Sequence, residues 1–187
     1  MKRSALVLLA LLVASAPLAA STFVALTPQQ LVAQSSAVIQ GDVLKVNSFW
    51  DESGRVIVSE AMIRVTDTIL GDSPTVVVLR VQGGDVGNYR VVAEGFPTFH
   101  AGERVVLFLQ HQTDGTDEVT GYRQGQYRIV TNKAGVDIAV PTLEPGVRLF
   151  TPDGRMAIRP SAVELDTLKA QIRSEAHRTA LNRTTAE

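Results

Sequence analysis

Apolar residues along the chain fall into short runs with a spacing of two, broken by turns rich in Gly and Pro, the pattern of a mainly β protein. The longest alternation runs from Arg55 to Leu70, with Ile57, Ala61, Ile63, Val65 and Ile69 on one face. Ahead of it, Ala37 to Val46 is strand-like, with Gly41 placed for a bulge or bend. The turn residues Trp50-Asp51-Glu52-Ser53-Gly54 join the two strands as an antiparallel hairpin. Val76-Val77-Val78-Leu79 is apolar at every position, which predicts a central strand covered on both faces, and Val105 to Leu109 predicts another buried strand. Gly83-Gly84-Asp85-Val86-Gly87 reads as a loop, Tyr89 to Ala93 as a short strand, and Gly95-Phe96-Pro97-Thr98-Phe99 as an aromatic turn. Thr120 to Arg123 and Gln126 to Val130 read as short strands.

Helical signals are confined to the two ends of this β region. Thr27-Pro28-Gln29-Gln30 places a cap and a first-turn proline before Leu31 and Val32. Near the C-terminus, Arg148-Leu149-Phe150 and Met156-Ala157-Ile158 flank a Pro-Asp-Gly turn and predict a small hairpin. Ser161-Ala162-Val163-Glu164 reads as a capping box. It opens a helix to about His177 whose stripe of Val163, Leu165, Leu168, Ile172 and Ala176 packs on the β region. The expected organisation is a leader over 1–21, a barrel domain over 22–136, a hairpin and packed helix over 137–180, and a frayed tail over 181–187.

The leader follows from Lys2 and Arg3 ahead of an apolar run from Ala5 to Val13 and small residues up to Ser21, the form of a secretory signal peptide cut after Ala20 or Ser21. Its apolar run is about half of the ~20 residues that span a bilayer, so no stable membrane anchor is expected after cleavage. Export to a periplasmic or extracellular setting is the expectation. The formal charge of -1 offers no electrostatic case for nucleic acid. The absence of cysteine excludes thiol catalysis, disulfides and thiolate metal sites, and suits a bacterial envelope more than a disulfide-rich eukaryotic exterior.

Pro28-Gln29-Gln30, Ala37-Val38-Ile39-Gln40-Gly41-Asp42-Val43, Ile69-Leu70-Gly71 and Gly102-Glu103-Arg104-Val105-Val106-Leu107-Phe108-Leu109 follow one another in an order that resembles the N-terminal module of tissue inhibitors of metalloproteinases and netrin-like domains. The resemblance covers roughly residues 27 to 130 and extends to cysteine-free secreted bacterial proteins. It implies a five- to six-stranded OB-like Greek-key barrel, with a plain β-sandwich as the alternative. In that inhibitor family an N-terminal cysteine presents its amino group to the protease zinc. This chain lacks the residue, so that device does not carry over.

No constellation in the sequence specifies a reaction. The glycine run at 83–87 lacks the Gly-Lys-Ser/Thr of a phosphate loop. His100, His111 and His177 are scattered, and Asp114-Gly115-Thr116-Asp117-Glu118 lacks the regular acidic spacing of a calcium loop. Pairs such as Asp51 or Glu52 with Asp85 or Glu94 are arbitrary choices among 19 acids. No cofactor and no metal are expected. The informative set is the aromatic and glycine-bearing loops: Trp50, Gly83, Gly84, Asp85, Tyr89, Phe96, Pro97 and Phe99. Phe96 and Phe99 read as barrel-end plugs and Trp50 as an exposed contact. The expected function is that of a non-catalytic module recognising a protein partner, such as a secreted protease, through barrel loops. The alternatives are an enzyme acting on envelope polymers through loop carboxylates, or a carrier of a small apolar ligand.

Overall fold

The computed structural model describes residues 22–184, so the leader lies outside the described residues. A short strand β1 (Thr22–Val24) leads to helix α1 (Pro28–Gln34). Thr27 caps that helix in a full capping box with Gln30: the Thr27 hydroxyl accepts from the Gln30 N–H, and the Gln30 side chain accepts from the Thr27 N–H. Strands β2 (Ala37–Trp50) and β3 (Ile57–Leu70) then form a long antiparallel hairpin, followed by β4 (Val76–Gln82) against β3. A small hairpin of β5 (Gly84–Val86) and β6 (Tyr89–Val91) precedes β7 (Arg104–His111) and β8 (Asp117–Val119). A 3-10 turn at Tyr122–Gly125 leads into β9 (Gln126–Thr131), β10 (Asp137–Pro141) and β11 (Arg148–Phe150). The chain ends in the two-residue β12 (Val163–Glu164) and helix α2 (Leu165–Thr184).

Five of these strands close on themselves, as an OB-like barrel requires. β2, β3 and β4 form a meander, and β7 runs antiparallel to β2. β8 completes the ring, antiparallel to β7 through Leu109↔Val119 and parallel to β4 through Leu79↔Asp117. Closure demands curvature, and β2 supplies it through register shifts at Val38/Ile39, Gln40/Gly41 and Val43/Lys45. Gly41 is required at the second shift, because a Cβ there would lie 2.6 Å from Ile63 Cγ2 and 2.7 Å from the Arg64 carbonyl. Ile39, Val43, Ala61, Ile63, Val77, Leu79, Phe99, Val105, Leu107, Leu109 and Val119 fill the interior.

A second core lies on the outer face of the sheet. Past the point where β8 pairs, the same edge of β7, away from β2, carries β9, and β10 and β12 extend the sheet further. The two helices cover this wing, burying Leu31 and Val32 from α1 and Leu165, Leu168 and Ile172 from α2 against Val106, Phe108, Tyr127, Ile129 and Ala139. Each such aliphatic side chain contributes about 1.5–3 kcal/mol. β7 therefore sends Val105, Leu107 and Leu109 into the barrel and Val106 and Phe108 under the helices, which is why its sequence is apolar throughout.

The structure corrects several expectations. β4 is covered on one face only: Val77 and Leu79 are buried, whereas Val76 and Val78 are exposed, because the barrel wall has solvent outside it. Gly84–Val86 is a strand of a hairpin, although 83–87 reads as a loop. Residues 122–125 form a 3-10 turn, because Gly121 and Tyr122 both adopt left-handed backbone angles that end strand pairing. Ser161 is not a helix cap; Val163 and Glu164 are drawn into pairing with β10, so the helix starts at Leu165. It runs past His177 to Thr184, which includes residues expected to fray, and 185–187 lie outside the described residues. Arg148–Phe150 pairs mainly with β1, in parallel, and meets the Met156 segment through a single bridge, Phe150↔Met156. The β9–β10 hairpin carries the sheet across residue 136 without a break. No helix among the described residues is long and apolar enough to cross a membrane.

Candidate functional site at the barrel mouth

Toward one end of the barrel the inward positions change from hydrocarbon to hydroxyl. Val46 and Ser48 of β2, Ser59 of β3 and Val81 of β4 line a cleft of about 570 Å³, within the few hundred to a thousand typical of ligand sites. Ser59 donates to the Gly83 carbonyl at 2.7 Å. Its single proton thus committed, Ser59 accepts from Ser48 at 2.8 Å. The β5–β6 hairpin lies directly over this pair. Gly84, at φ +138°, allows it: a Cβ would sit 2.3 Å from the Ser59 hydroxyl and 2.4 Å from that of Ser48. Asp85 and Arg90 pair across the hairpin at 2.8 and 2.9 Å, and that guanidinium holds the Asp85 carboxyl below its usual range.

The opposite wall is the segment from Ala93 to Ala101, held by Arg123, whose side chain is only 7% exposed. Arg123 donates to the Phe96 carbonyl at 2.6 Å, the Thr98 hydroxyl at 3.0 Å and the Thr142 carbonyl at 3.2 Å, and meets Glu144 at 3.2 Å. Burial pulls the guanidinium pKa down and the Glu144 carboxylate opposes that shift. The backbone that delivers Arg123 carries a rare left-handed non-glycine residue, Tyr122 at φ 57°. Its ring sits edge-on to Phe96 at 5.0 Å and against Phe23 at 5.8 Å. Gln126 adds a bond from its side-chain amide to the Thr98 carbonyl at 2.7 Å.

Gly83, Gly84, Asp85, Pro97 and Phe99 all line the cleft, with Phe99 reaching into the barrel core as its floor. Trp50 and Tyr89 stand beside it as an edge-to-face pair 5.6 Å apart, 38% and 65% exposed. Phe96 faces away, into a smaller recess of about 270 Å³ that it shares with Pro97 and Tyr122. Ser48, Ser59, Arg90, Arg123 and Glu144 also line the cleft without having stood out in the sequence, as does His100, which stood out there only as one of three scattered histidines. Comparison with protein-family models, curated proteins and solved structures finds no match.

Two of the acids named as possible pairs for hydrolysis, Asp51 and Asp85, are held in contacts of their own hairpins. Asp51 closes its own turn, accepting from the Ser53 hydroxyl and the Arg55 and Val56 N–H groups, which hold its carboxyl below the ordinary value. Asp114 does the same with Thr116. His100 pairs with Glu103 at 3.0 Å, and Arg128 reaches the same carboxylate oxygen. Among the described residues no three His, Asp or Glu side chains gather as metal ligands would. What the mouth offers is a cleft with hydroxyl and guanidinium walls beside exposed aromatic and aliphatic groups.

Proposed function

We propose that this is an exported, non-catalytic module that recognises a protein partner, of which a secreted protease is one candidate class, through the loops at the barrel mouth. The observation that carries this reading is the edge-to-face Trp50–Tyr89 pair, exposed along with the nearby hairpin residues Val56, Val91 and Val92. Large rigid aromatic groups lose little side-chain entropy on docking, and such residues dominate binding energy at protein interfaces. The salt-bridged hairpin and the Arg123 network brace the two sides of the mouth, so the ordering cost of association is already met in the fold. The leader sequence supports export, and the netrin-like segment order supports a protease as the partner class.

The test compares wild type with a Trp50→Ala/Tyr89→Ala double variant as bait in the envelope fraction and culture supernatant of the producing cell. A single protein retained by wild type and lost by the variant, with about 30-fold weaker affinity once purified, is the expected result. Retention by both baits, or by neither, overturns the reading.

A further inference from the structure

The two most exposed large apolar side chains of the described residues, Met156 at 70% and Ile158 at 96%, stand on one segment. It runs from Arg155 to Ala162, between β11 and β12, without a turn or bend. Its sequence favours that shape: Pro160 keeps Arg159 out of the helical region, and none of these residues takes a positive φ. Extended backbone places Met156 and Ile158 on one side and Ala157 on the other.

The segment is stretched between two anchors. Ahead of it, Met156 bridges Phe150, and the Ala157 N–H donates to the Leu149 carbonyl at 2.9 Å. Behind it, Val163 and Glu164 pair with β10. Arg159 ties down the middle. Its guanidinium donates to the Val147 carbonyl at 2.6 Å and to the Leu143 and Glu144 carbonyls at 2.8 Å. Glu144 is also the residue whose carboxylate meets Arg123, so the segment is fastened to a wall of the mouth. Ile158, Arg159, Pro160 and Ser161 are all exposed, and no backbone hydrogen bond among the described residues engages them.

An extended strand with open main-chain groups and one outward side chain is the form in which a peptide enters the cleft of an endopeptidase. Strand addition supplies the main-chain bonds, and one side chain fills a specificity pocket. The charges here decide the pocket. Arg159 is committed to three carbonyls and Arg155 to Asp153, so a pocket built for a cation finds none on offer, whereas an apolar one accepts Ile158. Anchors on both sides remove most of the ordering cost that a loose peptide meets on docking.

We infer that residues 156–161 are a docking loop for the substrate cleft of an endopeptidase of aliphatic specificity, with Ile158 seated in its pocket and the loop blocking the cleft. This rests on the reading of a secreted protease as the partner class, and adds a contact beside the mouth.

Elastase, with a small apolar pocket, and trypsin, whose pocket carries an aspartate, serve as probes, each assayed on a chromogenic peptide in the presence of the full protein. Competitive inhibition of elastase and none of trypsin is expected. Ile158→Asp should weaken inhibition at least ~100-fold, because it carries an unpaired carboxylate into an apolar pocket, and Ile158→Val should stay within about fivefold. The side chain is in solvent, so both variants should melt as the wild type does. Arg159→Gln should weaken inhibition about tenfold and open the bond after Ile158 to cleavage, read by mass spectrometry. No inhibition of elastase, equal inhibition of trypsin, or inhibition indifferent to Ile158→Asp overturns the loop. A partner retained through Trp50 and Tyr89 would survive each of those results, so the mouth reading fails separately, on its own retention test.

Discussion

Arg123 is the side chain on which the shape of the mouth depends, and its replacement by Met gives a quantitative test. The change removes three donated bonds, to Phe96, Thr98 and Thr142, and strands Glu144. Bonds from a charged donor contribute about 1.5–3 kcal/mol each, so a simple sum reaches roughly 5–9 kcal/mol. Two effects reduce it. Phe96, Thr98, Thr142 and Glu144 are all only half-buried, so water reaches the groups left behind, and the cost of desolvating the guanidinium itself disappears. The expected loss is about 3 kcal/mol, at the low end for breaking a buried pair. For a chain of this size that corresponds to a fall in Tm of about 6–12 °C. Urea denaturation measures the loss, and amide hydrogen exchange locates it: protection should drop across 93–101 and around Thr142 while β2 and β3 keep theirs. Arg123→Lys should recover only part, since an ammonium cannot reproduce the planar fork. A loss below 1 kcal/mol with unchanged exchange across 93–101 would refute the claim that this guanidinium holds the wall.

Three further outcomes follow from the geometry. Gly84→Ala should cost about 2 kcal/mol or more, since it combines a backbone angle foreign to alanine with a Cβ set against two serine hydroxyls; a neutral result in thermal melts means the hairpin does not rest on them. Val77→Thr should cost about 1–3 kcal/mol and Val78→Thr within ±0.5 kcal/mol in urea denaturation, because only the first buries its hydroxyl in the barrel; equal effects would contradict closure. Asp137 is held at about 2, below the ordinary 3.8, by the paired guanidinium of Arg104 at 2.5 and 2.9 Å and by the Thr131 hydroxyl. A depressed carboxyl stabilises the fold fully above its ordinary pKa and loses that contribution as pH falls toward 2. A carbon-detected titration should therefore place Asp137 near 2 in wild type and nearer 4 in Arg104→Gln, and identical curves would exclude the pairing.

The barrel was legible where one strand face is continuous hydrocarbon. Ile57, Ala61 and Ile63 mark the inner face of β3 in the sequence, and Gly41 marks the bend of β2, because burial on one face and a close backbone approach both constrain residue type directly. The ring closure was not legible locally, since β8 is three residues long and earns its place by pairing with β4 and β7 at once. β5 escaped for a related reason, although its partner was read as a strand from Tyr89: Asp85, Tyr89, Arg90 and Val91 are exposed, so no alternation is imposed on the hairpin. At the mouth, Ser59 did carry a signal, as the single polar side chain between Ile57 and Ala61 on a buried face. Arg123 carried a fainter one, a charged residue bracketed by Gly121 and Gly125 just after β8. The capping reading of Ser161 failed because β10 had an open edge, and pairing there outweighed an early helix start.

The central claim is that the barrel mouth, and not its side wall, meets the partner. A photo-crosslinking amino acid placed at Trp50, with Met62 on the side wall as a control of matching exposure, 38% against 41%, tests it inside the producing cell. A single discrete adduct at position 50 and none at position 62 is the predicted result. An adduct confined to position 62, or none at position 50, contradicts it.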